Sequence, residues 1–271
     1  MPSNLLRTVL LGLLTVSYAV ADLAVSPSRG ETGVAAHIFD MSQVQLTSSR
    51  WMDNQGRTLS YIKSVDMERM LYVFRQNHKL STNGATGNGG WDAPSFPFRS
   101  HMQGHLLTAW ANCWSSLRDT TCRSRATYFV AELAKCQKNN GNAGFSAGYL
   151  SGFPETEITA VEQRTLTSGN VPYYAIHKTM SGLLDVWRHI GDTNARDVLL
   201  SLATWVWTRT GKLSYSQMQS RPYLYSHKCS FLYLHYYDIC CHHTCYIVTH
   251  LRHIYTLDIK KTTCFRLINT R

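Results

Sequence analysis

The chain has 271 residues, which corresponds to one large domain or two small ones at roughly 100–200 residues each. Hydrophobic residues make up 44% of it and charged residues 16%, a composition that excludes a disordered chain or a fibre. Half of the net charge of +10 lies in residues 221–271, which hold seven Lys and Arg but only two Asp and Glu. The rest has no basic stripe of the kind that binds nucleic acid, so we expect no nucleic-acid partner.

The first 21 residues have the parts of a secretory signal peptide. Arg7 closes a short basic segment, residues 9–18 (VLLGLLTVSY) are apolar, and the small residues Ala19 and Ala21 precede a cleavage site before Asp22. No other stretch reaches the roughly 18 apolar residues of a membrane-spanning helix. We therefore expect residues 1–21 to be removed, and the mature protein to be secreted, extracellular and free of the membrane.

The body, residues 22–220, is predicted to be all-α and to consist of helical hairpins. Apolar residues recur at helical spacing in five stretches: residues 66–77, with Asp66 as N-cap, 100–114, 121–139, 176–190 and 193–209. Strand signals are confined to residues 34–46. Loops rich in Gly, Asn and Pro, at residues 81–97 and 141–153, alternate with short turns. This alternation places the long connections at one end of the helices, where we expect a site.

Two histidines stand at the start of the second predicted helix. His101 and His105 are four residues apart and share a face of the helix that Ser100 is predicted to begin. Gly104 between them allows a ligand or another backbone to approach closely. Since the Glu of a metalloprotease motif is missing, the pair indicates either a structural role or a polar pocket.

A second candidate group falls where a loop meets the fourth predicted helix, at Tyr173, Tyr174 and His177. Aromatic rings beside a histidine suit a sugar, which needs apolar contact and a few fixed hydrogen bonds. A histidine at a helix start can equally be structural, and both interpretations stay open.

Three carboxylates, Glu155, Glu157 and Glu162, follow the second Gly-rich loop. Glycoside hydrolysis uses a pair of carboxyl groups, and two of these could supply it. We favour a solvated, flexible loop.

The body contains three cysteines. Cys113 ends one predicted helix and Cys122 begins the next, so a disulfide across the short turn is plausible. Cys136 allows two other pairings, and the sequence does not choose among the three.

Residues 221–271 differ from the body in composition. They contain no Gly, Ala or Glu, but carry five of the eight Cys, six of the twelve His and seven of the fifteen Tyr. Either they form a Cys- and His-rich metal or disulfide module, or they are aberrant sequence from a frameshift or an intron that was read through. We favour the second, a non-native or disordered tail, because Cys241, Cys245, His250 and His253 match no zinc-finger spacing.

Six blocks in the body resemble, in the same order, the β-L-arabinofuranosidase-like glycoside hydrolases of family 127. They lie at residues 54–75 (NQGRTLSYIKSVDMERMLYVFR), 89–111 (GGWDAPSFPFRSHMQGHLLTAWA), 126–137, 148–155, 173–192 (YYAIHKTMSGLLDVWRHIGD) and 204–219. The resemblance implies an (α/α)6 toroid of paired helices, of which this chain would hold the N-terminal part. It also implies hydrolysis of arabinofuranosides with retention, by a Cys nucleophile, a Glu acid/base and a zinc ion held by Glu and Cys residues.

The resemblance ends at Gln219, after which the family continues into the helices that carry its catalytic and zinc-binding residues. Cys240 and Cys241 are adjacent, as in the family's zinc site, but their flanking residues do not match. We therefore assign no catalytic residue and no cofactor to this chain, although zinc is expected in the full-length family. The sugar-binding residues that the resemblance carries over are His177, His101, His105 and Gln55.

The sequence therefore predicts a secreted glycoside hydrolase of the β-L-arabinofuranosidase type, which is truncated and inactive. Its partner would be a glycan with terminal arabinofuranosyl residues. The alternative is a non-catalytic, secreted carbohydrate-binding remnant, and a third interpretation is a small Cys-rich interaction protein defined by its tail.

Overall fold

The computed structural model describes residues 41–214 and 217. The predicted signal peptide, most of the strand signals at residues 34–46, the domain boundary at residue 220 and the tail at residues 221–271 lie outside the described residues. Contacts divide the chain after Val44 into two units, and the first is described only at residues 41–44, where Met41–Gln43 form a 3-10 turn. The second unit, from Gln45 onward, contains the α-helices.

Between residues 45 and 214 the chain is all-α, as predicted, and no strand occurs there or at residues 41–44. The helices are α1 (Arg50–Ser64), α2 (Met67–Asn77), α3 (Met102–Leu117), α4 (Thr120–Lys138), α5 (Asn140–Ala143), α6 (Glu155–Glu162), α7 (Pro172–Ile190) and α8 (Thr193–Thr210). A 3-10 turn at Gly90–Asp92 lies in the loop between α2 and α3. None of the helices in this part of the chain is long and apolar enough to cross a bilayer.

Three helical hairpins share one turn chemistry. In α1–α2, α3–α4 and α7–α8, an aspartate caps the second helix by accepting hydrogen bonds from its first main-chain N–H groups. Asp66, Asp119 and Asp192 make these bonds at 2.9, 3.0 and 3.0 Å. Arg118 and Gly191, which precede two of the caps, adopt the left-handed conformation that ends a helix. The short, capped turns pack α3 against α4 and α7 against α8.

The core lies among α2, α3, α4, α7 and α8. Trp110 on α3 is fully buried and packs against Phe129 on α4, with ring centroids 5.7 Å apart. The indole N–H of Trp110 donates to the main-chain carbonyl of Ile62 at 2.9 Å, so its burial leaves this donor satisfied. The same bond ties α1 to the core.

Helices α3 and α7 are in main-chain contact at two glycines. A Cβ atom on Gly104 would stand 2.0 Å from the carbonyl oxygen of Lys178, and one on Gly182 would stand 2.5 Å from the carbonyl oxygen of Gly104. Real Cβ atoms essentially never approach within 3.0 Å, so the contact requires glycine at both positions. The close approach predicted at Gly104 is confirmed, and what approaches is another backbone.

Helix boundaries differ from the predicted ones where tertiary contacts intervene. The second predicted helix begins at Met102 and not at Ser100, because Ser100 has a φ of +67° and its N–H donates to Asp92. The fourth begins at Pro172 and not at residue 176, since proline at the first helical position gives up no intrahelical hydrogen bond. Three helices, α1, α5 and α6, form where no helix was predicted.

Candidate functional site

The two histidines predicted to share a face of α3 do lie side by side. His101 precedes the first helical residue, Met102, and His105 follows one turn later. Their rings meet edge to face, with centroids 5.9 Å apart and planes at 86°. His101 is 7% exposed, whereas His105 reaches the surface.

Contacts on three sides fix the ring of His101. Its Nδ1 atom lies 2.6 Å from the carbonyl oxygen of Phe98, so Nδ1 carries the proton that it donates there. The rings of Phe98 and Tyr174 each have their centroids 6.0 Å from that of His101. In the neutral imidazole Nε2 is then the acceptor, and its direction is set by the fold.

Helix α7 supplies the other side of this region. The Nζ atom of Lys178 lies 5.2 Å from the centroid of the Tyr174 ring, and His177, one residue earlier, is 7% exposed. Tyr174 and His177 are three residues apart and share a face of α7. Because Gly104 contacts the main chain of Lys178, His101 and His105 on α3 lie at the same helix crossing as Tyr174 and His177 on α7. We call His101, His105, Tyr174, His177 and Lys178 the histidine cluster.

The electrostatics of the cluster favour the neutral form of His105. Burial is the largest cause that lowers the pKa of His105, and Coulombic interactions with Lys178 and His101 lower it further. A histidine with a pKa below its ordinary value is uncharged at neutral pH, and it can then donate one hydrogen bond and accept another. The cluster thus combines a lysine cation with an imidazole that suits hydroxyl groups.

A buried carboxylate holds the segment before α3 in place. Asp92 accepts from the N–H of Ser100 at 3.1 Å through Oδ1, and from Gln103 and Asn88 at 2.9 and 3.0 Å through Oδ2. Burial is the main cause that raises the pKa of Asp92, and these hydrogen bonds oppose it. Gln103 also donates to the main-chain carbonyl of Met70 at 2.8 Å, which anchors the segment to α2.

Arg99 connects the same segment to the Gly-rich loop that precedes α6. Its Nε donates to the carbonyl of Gly152 at 3.1 Å, its Nη2 donates to Glu157 at 3.0 Å, and its guanidinium covers the ring of Phe153 at 3.8 Å. The N–H of Gly152 donates in turn to the hydroxyl of Ser100 at 3.2 Å. The turn that carries His101 is therefore fixed from both sides.

Comparison with known protein families identifies the fold to which these helices belong. The sequence profile of the β-L-arabinofuranosidase GH127 catalytic domain matches residues 43–239. The chain belongs to this family. No match was found among curated proteins.

Membership of family 127 accounts for the helical hairpins, which are those of a partial (α/α)6 toroid, as predicted. The matched range continues to residue 239, past the boundary predicted at residue 220. That boundary lies outside the described residues and stays a prediction.

In a glycoside hydrolase, carboxylates are the first candidates for catalysis, but Glu155, Glu157 and Glu162 are ion-paired. Arg209 of α8 donates to Glu155 at 3.1 Å and to Glu162 at 2.7 Å, and Glu157 accepts from Arg99. The prediction of a solvated loop is therefore wrong: these residues belong to α6 and to a network of structural salt bridges. Arg209 is 47 residues beyond Glu162, so no local pattern could indicate the pairing.

Two further residues predicted for the site of this family 127 chain are not part of the cluster. The hydroxyl of Tyr173 donates to Glu162 at 2.5 Å, and burial together with that carboxylate raises the pKa of Tyr173. Gln55 is half-buried on α1. Within residues 41–214 no ring contact or hydrogen bond joins Gln55 to the cluster, and its role stays a prediction.

The cysteines of the body show whether zinc, which the family resemblance implies, has a place here. Cys113 and Cys122 form a disulfide with Cα atoms 6.2 Å apart, one of the three predicted pairings, and Cys136 is a buried free thiol. Asp119 lies beside the disulfide, and the three residues have the proximity of a metal site. They do not fit zinc, because disulfide sulfurs are not thiolates and Asp119 already caps α4 and pairs with Lys63.

Proposed function

We propose that this family 127 chain is a secreted glycoside hydrolase of the arabinofuranosidase type, in which the histidine cluster binds a terminal arabinofuranosyl residue of a glycan without cleaving it. The observation that carries the proposal is the contact of His101 with His105 on α3 and with Tyr174 on α7, beside the glycine contact between the two helices. Residues from two separate sequence blocks of the family meet at this point.

The chemistry of the cluster suits a sugar. A furanose presents hydroxyl groups that both donate and accept hydrogen bonds, and C–H groups that pack on aromatic rings. Neutral His105 offers a donor and an acceptor, and His101 offers Nε2 as an acceptor. Lys178 adds a donor, and Tyr174 adds an aromatic ring. The histidine cluster holds its hydrogen-bonding groups in fixed directions, and none of its five residues carries a carboxylate.

Hydrolysis needs an acid on the leaving oxygen and a nucleophile or base at the anomeric carbon. Asp92 has the raised pKa of an acid, but it is buried and both of its oxygens accept hydrogen bonds from protein. Cys136, the free cysteine among residues 41–214, is fully buried, and burial raises its pKa to about 12. A thiol with that pKa is not a nucleophile at neutral pH. Among the described residues, the cluster therefore supports binding and not turnover, which is the basis for proposing an inactive enzyme.

Secretion is supported by the signal-peptide pattern of residues 1–21 and by the Cys113–Cys122 disulfide. Disulfides persist in oxidising compartments and are rare in the cytosol. The expected partner is therefore an extracellular glycan.

Binding is tested by calorimetric titration of the full chain with methyl β-L-arabinofuranoside. We expect saturable binding that His177→Ala weakens by about tenfold, the equivalent of one lost hydrogen bond. His189→Ala is the matched control, since it lies on the same helix about 18 Å further along. The proposal fails if the wild-type chain shows no saturable binding, or if both variants lose affinity equally.

A further inference from the structure

One aromatic side chain near the histidine cluster is exposed to solvent. Trp91 is 73% exposed, the highest value among the large apolar side chains of residues 41–214. Its ring lies parallel to that of Phe96, with an angle of 7° between the planes and 6.4 Å between the centroids. The indole is thus supported on one side by a second ring and exposed to water over most of its surface.

The segment around Trp91 is rigid. Gly90 has a φ of +60°, which a side chain would disfavour, and its carbonyl accepts from the N–H of Ala93 at 3.2 Å. The next residue is Asp92, whose buried carboxylate accepts three hydrogen bonds. The N–H of Phe96 donates to the carbonyl of Ala93 at 2.8 Å. The exposure of Trp91 is therefore built into a fixed turn, and an apolar ring fixed in water is the starting condition for a contact site.

A continuous row of rings joins Trp91 to the histidine cluster. From Phe96 the next ring is Phe98, at 5.7 Å between centroids, and Phe98 lies 6.0 Å from His101 and 5.8 Å from Tyr174. Each step is about the separation of two packed rings. Trp91 is thus the outer end of a surface whose inner end is the cluster.

The chemistry of this outer end suits a neutral ligand. Between residues 86 and 98 the one charged residue is Asp92, and its carboxylate is buried and hydrogen-bonded. The other side chains of the stretch are Gly, Pro, Ala, Ser, Thr, Asn and the three aromatic residues. An exposed indole in a stretch whose own side chains carry no exposed charge is suited to the C–H face of a sugar ring, which carries no charge and is apolar on that face.

We propose that Trp91, supported by Phe96, forms a second sugar-binding subsite that stacks on the residue next to the arabinofuranosyl group held by the histidine cluster. This inference rests on the proposed function, because the cluster fixes which end of the glycan lies inward. The ligand class is a neutral oligosaccharide with at least two sugar rings. Trp91 then discriminates a disaccharide from a monosaccharide, which engages the cluster alone.

The test is calorimetric titration of the full chain with methyl β-L-arabinofuranoside and with a β-linked L-arabinofuranosyl disaccharide. We expect the disaccharide to bind about tenfold more tightly, and Trp91→Ala to remove that advantage while leaving the monosaccharide affinity unchanged. Trp91→Tyr keeps an aromatic ring and should retain most of the advantage. Trp207→Ala is the control, because Trp207 on α8 is also exposed, at 55%. Circular-dichroism melts confirm that each variant is folded.

The outcomes separate this inference from the proposed function. If the monosaccharide binds but Trp91→Ala leaves the disaccharide affinity unchanged, the subsite is refuted while the proposed function stands. If the disaccharide binds in a Trp91-dependent way and the monosaccharide does not bind, the subsite stands and binding in the histidine cluster is refuted. Equal losses for both sugars in Trp91→Ala would make Trp91 a support of the cluster and overturn the subsite.

Discussion

Gly104 and Lys178 lie in direct main-chain contact, so that a Cβ atom on Gly104 would stand 2.0 Å from the carbonyl oxygen of Lys178. The contact places the start of α3, with His101 and His105, against the second turn of α7, with His177. The geometry of the proposed sugar site therefore depends on a glycine that does not itself contact the sugar.

Gly104→Ala should destabilise the chain by about 3 kcal/mol, because the overlap is with main chain and the two helices must separate. Urea unfolding at neutral pH measures the change. Gly56→Ala is the matched control: Gly56 lies in α1, nothing lies within 4 Å of the added Cβ, and the better helix propensity of Ala should stabilise by up to about 1 kcal/mol. Equal effects of the two substitutions would contradict the proposed contact.

A buried ion pair connects α2 to α4. Arg75 is buried and donates to Glu132 at 2.8 Å and to Glu68 at 2.6 Å. Glu132→Gln should cost about 3 kcal/mol in the free energy of unfolding, because it leaves a buried guanidinium short of its partner. The exposed pair Arg196–Asp197 is the control, and Asp197→Asn should change stability by less than about 0.5 kcal/mol. A cost at Glu132 as small as that of the control would show that Arg75 is not buried in solution.

The same ion-pair network predicts that the stability of the fold depends on pH in the acid range. The hydrogen bond from Arg75 is the largest cause that lowers the pKa of Glu68, to about 2, below the ordinary value of 4.5. A carboxylate with a lowered folded-state pKa contributes stability that is present above about pH 4.5 and is lost as the pH falls towards 2. Glu68→Gln should therefore flatten the fall in urea midpoint over that range. An unchanged slope would contradict the assignment.

The burial of His78 predicts that stability also depends on pH in a higher range. It is buried, accepts from the N–H of Ser151 at 3.4 Å and hydrogen-bonds Asn140 at 2.9 Å, and burial lowers its pKa to about 4. Between about pH 4 and pH 6.5 the unfolded chain binds a proton at His78 that the folded chain does not, so stability rises with pH, by up to about 3 kcal/mol in all. His78→Asn should remove that slope, and His189→Asn should keep it. Slopes that do not differ would contradict the burial of His78.

The helices of the fold were predictable where the signal is local. Asp66 caps α2 as predicted, and the end of α2 at Asn77 agrees with the apolar spacing. The start of α3 was not predictable, because Ser100 takes a positive φ to donate to Asp92, a contact made through the folded loop. Helix α6 was missed for a similar reason, since its glutamates are stabilised by Arg209, which follows in α8.

The candidate site was predictable in part. The spacing of His101 and His105 indicated one face, and the rings are indeed neighbours. Gly104 indicated a close approach, but the sequence does not say which chain segment approaches, because α7 begins far along the chain. The parallel stacking of Trp91 on Phe96 also depends on the fold of a loop that has no periodic pattern.

Reduction of the Cys113–Cys122 disulfide should lower the free energy of unfolding by about 2 kcal/mol, because it releases a short loop in the unfolded chain. The double variant Cys113→Ser/Cys122→Ser should show the same loss and no further response at this position to reductant. Peptide mapping after proteolysis checks the pairing directly, and a bridge from Cys136 to either residue would contradict it.

The most direct test of the proposed function is the release of arabinose from an aryl β-L-arabinofuranoside by the full chain, measured with and without added zinc. The same preparation is first shown to bind methyl β-L-arabinofuranoside, so that a negative result refers to folded protein. We expect binding without release under both conditions, because among residues 41–214 the carboxylates near the cluster are hydrogen-bonded to protein and the free thiol is buried. Release of arabinose that His177→Ala abolishes would contradict this, and would place the catalytic groups of an active enzyme in this same chain.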